Sequence, residues 1–157
     1  MIPIRRILVP TDFSEPAAAA LQYAKTLAAE FASELHLLHV FPEPYIYPWG
    51  AEGASLPLAE LLTQAEDAAK ERLKELVPAT DALAARVRTE TVLGAPFDRI
   101  LHYVGEHDID LVVMGTHGRG MMGHLLLGSV TERVVRKAVV PVLTVHSMKG
   151  TTQAASR

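Results

Sequence analysis

The sequence predicts an α/β fold built on a five-stranded parallel sheet with helices on both faces. Segments typical of buried strands alternate strictly with segments typical of amphipathic helices, in the order β-α-β-α-β-α-β-α-β. Strict alternation is typical of parallel strands joined by right-handed helical crossovers. Hydrophobic residues make up 49% of the 157 residues, enough to fill one core. We therefore expect a single domain over residues 1–146 and a mobile, polar carboxyl-terminal tail over residues 147–157.

The first two strand-helix units follow from apolar periodicity and helix-start signals. A strand over residues 5–10 leads into a turn at 11–13, and Ser14 is a good N-cap for a helix that ends near Ala32. A second strand is expected over 34–40 and a second helix over 58–77. Between them, residues 41–57 contain four prolines, two glycines and four of the nine aromatic residues, which predicts a long loop. This loop is either a lid or contact surface, or its aromatic side chains pack on the next helix.

The remaining elements complete the alternation. A strand over residues 86–92 alternates in polarity, which indicates one wetter face near a sheet edge. A helix begins at Pro96, a strand buried on both faces covers 111–114, and a fourth helix is expected over 130–139. Pro141 ends that helix, and Val142–Val145 forms the last strand.

A glycine-rich segment after the fourth strand suits an anion. Residues 111–131 contain five of the ten glycines and no Asp or Glu. Glycine lets backbone N–H groups approach a ligand closely, and the helix start adds donors and a partial positive charge. Ligands of parallel sheets bind at the carboxyl ends of strands, where the winding reverses. We therefore expect the site at the ends of the first and fourth strands.

Three phosphate-binding motifs compete for this segment. A P-loop is excluded because the segment has no Lys. Residues 118–123 spell G-x-G-x-x-G, the fingerprint of a dinucleotide site. That fingerprint directly follows its strand and has an acid about 20 residues further on, whereas here three residues intervene and Glu132 comes too early. The spacing Gly115-x2-Gly118-x9-Gly128-Ser129 is the third motif. Besides these, Ser129-x-x-Glu132 reads as a capping box, which would only start a helix after an ordinary loop.

The third spacing resembles the nucleotide-binding signature of the universal stress protein family, in its ATP-binding branch. Residues 7–14, 37–40, 110–118 and 141–145 are similar to the family's strands and turns, so the resemblance covers about residues 4–145. It implies a Rossmann-like sheet of the adenine nucleotide alpha hydrolase-like type, with strand order 3-2-1-4-5. It also implies a homodimer and bound ATP, and Mg²⁺ or Mn²⁺ could enter with the phosphates.

The resemblance also assigns ligand contacts position by position. It implies that Asp12 faces the ribose or a phosphate-bound metal and that Val40 meets adenine; otherwise Asp12 is a helix-entry cap and Val40 plain core. Arg119 and His124 are candidates by charge alone, because the signature does not name them. The expected cofactor-binding set is Pro10, Thr11, Asp12, Val40, Met114, Gly115, His117, Gly118, Arg119, His124, Gly128, Ser129, Val130 and Thr131.

The sequence predicts neither a catalytic set nor a metal site held by the protein alone. His36 and His39 point to opposite faces of a strand, and His102, His107 and His146 are expected at the surface. Two functions therefore lead: a stress-response or regulatory protein with ATP as a ligand or switch, and a slow metal-dependent ATPase or phosphoryl-transfer enzyme using Asp12. A dimeric scaffold without nucleotide is the third. We expect no enzyme, or at most weak ATP hydrolysis.

Composition and strand order limit the kinds of partner that this protein can have. A net charge of −3 does not favour nucleic acid, and the absence of cysteine excludes disulfides and thiolate zinc sites. No segment reads as a signal peptide or a membrane span, so a cytoplasmic protein is expected, with no membrane partner. The strand Val142–Val145 would lie uncharged at a sheet edge, which predicts a homodimer through that edge. The alternative is that the polar tail covers it.

Overall fold

The computed structural model describes residues 3–41, 58–116 and 127–146. These residues form one five-stranded sheet of order β3-β2-β1-β4-β5, and every neighbouring pair of strands is parallel. The strands are β1 Arg6–Pro10, β2 Glu34–Phe41, β3 Val87–Leu93, β4 Leu111–Gly115 and β5 Val142–Val145. The helices are α1 Glu15–Phe31, α2 Leu58–Leu76, α3 Pro96–Glu106 and α4 Ser129–Lys137, and a 3-10 turn Ala84–Arg86 precedes β3. The predicted fold and strand order are therefore confirmed.

The alternation of side chains along β1 divides the core into two layers. Ile7 and Val9 pack with α1 and α2, and Leu8 packs with α3 and α4. All three side chains are completely buried. This is the burial on both faces that an uninterrupted apolar strand predicts.

The first crossover is stabilised locally, as expected. The Ser14 hydroxyl accepts a hydrogen bond from the Ala17 N–H at 3.4 Å, and Pro16 lies in the first turn of α1. At the other end, Ala32 adopts a left-handed conformation with φ of 55° and donates its N–H to the Ala28 carbonyl. This brings the chain directly into β2.

The fourth helix differs from the prediction at both ends. It begins at Ser129, and its N-cap is Gly128, without a side-chain capping bond. The expected capping role of Ser129 is therefore wrong, because Ser129 is already the first helical residue. The helix ends at Lys137 rather than near Val139, because Ala138 is extended with ψ of 139° and begins the approach to β5.

Several expectations concern residues outside the described ranges. They are the loop over 42–57, the glycine-rich residues 117–126 and the tail over 147–157. Phe41, assigned to the loop, is the last residue of β2. None of the helices in the described ranges is long and apolar enough to cross a membrane.

Candidate functional site

Three apolar residues form a floor at the carboxyl ends of the central strands. Val40 and Met114 are buried in the layer beneath α3 and α4. Pro10 is buried two residues after Leu8, and therefore on the same face of the sheet. Since Leu8 lies opposite Val112, Pro10 comes level with Met114. The apolar end of a ligand placed at this edge would meet this surface.

The turn after β1 is held by its own polar groups. Thr11 donates its N–H to the Leu38 carbonyl at 2.8 Å, and its carbonyl oxygen lies 2.8 Å from Nδ1 of His39. The Thr11 hydroxyl accepts a hydrogen bond from the Phe13 N–H at 3.0 Å. The backbone that presents Asp12 is thus attached to the end of β2.

Asp12 is oriented by the entry to α1. Its Oδ1 accepts a hydrogen bond from the Ser14 N–H at 3.0 Å, so the helix-entry role weighed for Asp12 is present. A carboxylate has two oxygens with about four acceptor positions, so this contact does not exclude a ligand or metal contact. The ligand role of Asp12 stays a prediction.

Phe13, in the turn after β1, makes contacts that the sequence did not predict. Its φ is 61°, a left-handed conformation that is unfavourable for a bulky residue. One contact is the His39 ring, with centroids 4.6 Å apart, and another is the Arg72 guanidinium carbon, 4.0 Å from the Phe13 centroid. The tilted ring contact and the cation–π contact stabilise a turn conformation that is unfavourable for Phe13 itself.

Gly115 is needed for packing, independently of any ligand. A Cβ built at Gly115 would lie 2.8 Å from both the carbonyl carbon and the Cβ of Pro16. Atoms this close overlap, so α1 can approach β4 only because position 115 is glycine. The first glycine of the motif therefore supports the crossover from β1 to α1 as well as the expected site.

The amino terminus of α4 is attached directly to the end of β4. Gly128 donates its N–H to the Thr116 carbonyl at 2.6 Å, and the Thr131 hydroxyl donates to the Gly115 carbonyl at 2.9 Å. Thr131 is buried, Val130 is half-buried and Ser129 is exposed. The first turn of a helix has N–H groups without intrahelical partners and a partial positive charge. This arrangement can hold an anion beside the carboxyl end of β4.

Thr116 is a second residue that the sequence did not single out. Its N–H donates to the Val145 carbonyl at 3.0 Å, and its hydroxyl lies 3.2 Å from Nδ1 of His146. His146 is exposed, as expected, but it touches this buried hydroxyl. No local signal connects two residues that are 30 positions apart.

The predicted site residues fall into two groups. The structure brings Pro10, Thr11, Asp12 and Val40 to the ends of β1 and β2. It places Met114, Gly115, Gly128, Ser129, Val130 and Thr131 around the end of β4. His117, Gly118, Arg119 and His124 lie outside the described residues.

Comparison with known proteins identifies the family. The model of the universal stress protein family matches residues 3–146. The chain belongs to the universal stress protein family. Universal stress protein MJ0531 of Methanocaldococcus jannaschii is 32% identical over 145 residues, which cover 92% of this chain and 84% of the relative. Universal stress protein MJ0577 of the same organism is also 32% identical, over 90% of this chain and 94% of the relative.

Solved structures agree with this assignment. The structure of MJ0577 has a TM-score of 0.77 and covers 92% of this chain and 97% of that one. A universal stress protein in complex with cAMP is 26% identical, with a TM-score of 0.60, covering 93% of this chain and 99% of that one. The family's Rossmann-like sheet is therefore the fold of this chain.

Within residues 3–41, 58–116 and 127–146, this universal stress protein has no group of three His, Asp or Glu residues arranged for a metal. Asp12 is a carboxylate in the turn after β1, and β1 is the strand next to β4. Mg²⁺ is often held by ligand phosphates and only one or two carboxylates. Asp12 could therefore supply one carboxylate to an ion that is held mainly by ligand phosphates.

A buried polar cluster lies away from the site, near the amino ends of β2 and β3. His36 is buried, and its Nδ1 lies 2.9 Å from the Tyr103 hydroxyl. His107, which was expected at the surface, is half-buried and stacks on Tyr103 with centroids 3.8 Å apart. Burial lowers the pKa of His36, although Glu34 opposes this, and burial raises the pKa of Tyr103 to about 12. His36 and His39 lie on opposite faces of β2, as predicted, and so cannot share a metal.

Proposed function

We propose that this universal stress protein binds ATP at the carboxyl edge of its sheet and uses the nucleotide as a regulatory ligand in the stress response. The observation that carries the proposal is the attachment of α4 to the end of β4. Gly128 and Thr131 bond to the carbonyls of Thr116 and Gly115, and this holds an anion-favouring helix start beside the apolar floor.

The parts of the site fit the parts of the nucleotide. Adenine would lie against Val40 and the neighbouring floor, where apolar surface favours a flat base. The triphosphate would lie at the first turn of α4, where Ser129 is exposed and can donate its hydroxyl. Asp12 would face the ribose or a phosphate-bound Mg²⁺ or Mn²⁺.

Two further observations support an adenine nucleotide. The spacing Gly115-x2-Gly118-x9-Gly128-Ser129 matches the family's nucleotide-binding signature. A related universal stress protein has been solved in complex with cAMP. ATP, rather than a cyclic monophosphate, is proposed because the signature implies a chain of phosphates.

Identification of the bound nucleotide tests this function most directly. The purified protein is denatured, and the released small molecules are identified by mass spectrometry. Calorimetry then compares ATP, ADP, AMP and cAMP, and we expect the tightest binding for ATP. Absence of binding to all four nucleotides would refute the proposal. Turnover of ATP with and without Mg²⁺ separates a regulatory ligand from slow phosphoryl transfer.

We also propose a homodimer through β5. This strand is at the edge of the sheet, and Leu143 within it is 38% exposed. Val135 in α4 and Val139 in the segment between α4 and β5 are also exposed, and 90% of Val139 is accessible. An uncharged, apolar edge strand favours antiparallel pairing with its own copy across a two-fold axis. A cytoplasmic location, without nucleic-acid or membrane partners, completes the proposal.

A further inference from the structure

Thr116 connects three elements around the start of the glycine-rich segment. Its backbone N–H bonds to Val145 in β5, and its carbonyl accepts the N–H of Gly128, the N-cap of α4. Its hydroxyl meets Nδ1 of His146. Thr116 is only 1% exposed, so each of these contacts is made in the interior or at its boundary.

The contact with His146 is one of the interactions that constrain the Thr116 side chain, and the Thr116 backbone is hydrogen-bonded to Val145 and Gly128. A hydroxyl both donates and accepts, and so does a neutral imidazole, so the pair can form in either tautomer that suits the ring. Removal of a partner from a buried hydroxyl costs free energy, which favours a shift of the peptide that carries it toward another partner. In Thr116 that peptide is the acceptor for Gly128.

We infer that His146 is a positioning residue for the phosphate end of the nucleotide site, acting through Thr116. The inference rests on the proposed function. His146 holds the Thr116 side chain, Thr116 holds Gly128 by a hydrogen bond of 2.6 Å, and Gly128 sets where α4 begins. The direction of the first-turn N–H groups, which would meet the phosphates, depends on that start.

Two substitutions of His146 by amide residues distinguish loss of the Nδ1 contact from loss of the imidazole ring in general. In His146→Asn the amide occupies the place of Nδ1, whereas in His146→Gln it extends to the place of Nε2. We expect His146→Ala and His146→Gln to weaken ATP binding about three- to tenfold, the effect of one modest hydrogen bond. His146→Asn should stay within about twofold of the wild type. His102→Ala, a change at an exposed histidine in α3, is the control and should bind like the wild type.

ATP affinities are measured by calorimetry. Each variant is used at a protein concentration where sedimentation shows the same assembly mass as for the wild type. Equal affinity in every His146 variant would overturn the inference and leave the proposed function intact. Equal weakening by Ala, Gln and Asn would also overturn it, because the loss would then not depend on the Nδ1 position. A wild type that binds no ATP would refute the proposed function itself, and the inference with it.

Hydrogen exchange at the Gly128 amide tests the same link without nucleotide. Its exchange should be faster in His146→Ala and His146→Gln and close to wild type in His146→Asn, because this amide is bonded to Thr116. Unchanged exchange in His146→Ala would overturn the inference, whatever the nucleotide affinities are.

Discussion

Replacement of Gly115 by alanine measures how closely α1 approaches β4. The added Cβ would lie 2.8 Å from the carbonyl carbon and Cβ of Pro16 and 2.9 Å from its oxygen. Ordinary contacts begin near 3.5 Å, so the first turn of α1 must move by roughly 0.7 Å. Overpacking of this size typically costs about 1–3 kcal/mol. Because backbone rather than a flexible side chain must yield, we expect the upper part of that range.

The assay is urea unfolding without nucleotide, followed by circular dichroism. The control is Gly105→Ala in α3, where the new Cβ meets nothing within 4 Å. Alanine is preferred over glycine within a helix, so this control should gain about 0.5–1 kcal/mol. If Gly115→Ala is as stable as the wild type, the packing explanation for this glycine is wrong, and a ligand role alone would remain for it.

Three further changes test the site, the buried cluster and the edge strand. Ser129→Ala should leave the free energy of unfolding within about 0.5 kcal/mol of the wild-type value, because Ser129 is not the N-cap of α4. The same change should weaken ATP binding in calorimetry. Equal ATP affinity in Ser129→Ala and wild type would exclude a ligand role for Ser129. His36 has a lowered pKa, so its neutral form contributes stability that is present above pH 6.5 and is lost as the pH falls from there toward its folded pKa. His36→Gln should therefore show a smaller loss of unfolding free energy between pH 7.5 and 5.5 than wild type or an exposed-histidine control, and parallel curves would contradict this. Val142→Lys or Leu143→Pro should shift the protein toward monomer in sedimentation equilibrium, and a monomeric wild type at about micromolar concentration would refute the dimer.

Deletion of residues 149–157 separates the two explanations for the apolar edge. If the tail covered β5 within one chain, its removal would produce new association. If β5 pairs with its own copy, the number of chains in the assembly should not change.

The fold was predictable because its signals are local. A strand buried on both faces needs an unbroken apolar run, as at residues 7–9, and a helix start such as Ser14 is decided within one turn. The start of α4 was not predictable in the same way. Ser129-x-x-Glu132 is a valid local capping pattern, but the bond from Gly128 to Thr116 fixes the cap one residue earlier.

The placement of the candidate site residues was predictable where it follows from strand ends. Pro10 and Met114 end neighbouring strands, so topology alone brings them together. The contacts of Phe13 with Arg72 and of Thr116 with His146 join distant parts of the chain, and no spacing rule relates them. The packing need for Gly115 was likewise hidden, because a glycine near a phosphate motif already has an explanation.

The bond between Gly128 and Thr116 also bears on chain entropy. It closes a segment of eleven residues, 117–127, with its ends fixed by protein atoms alone. Lengthening such a segment to thirteen residues would add only about 0.15 kcal/mol of closure entropy, since the cost rises with the logarithm of length. Folding therefore tolerates many spacer lengths between Gly118 and Gly128. Under the proposed function, the nine-residue spacer is set by the nucleotide that the segment would bind and not by the entropy of chain closure.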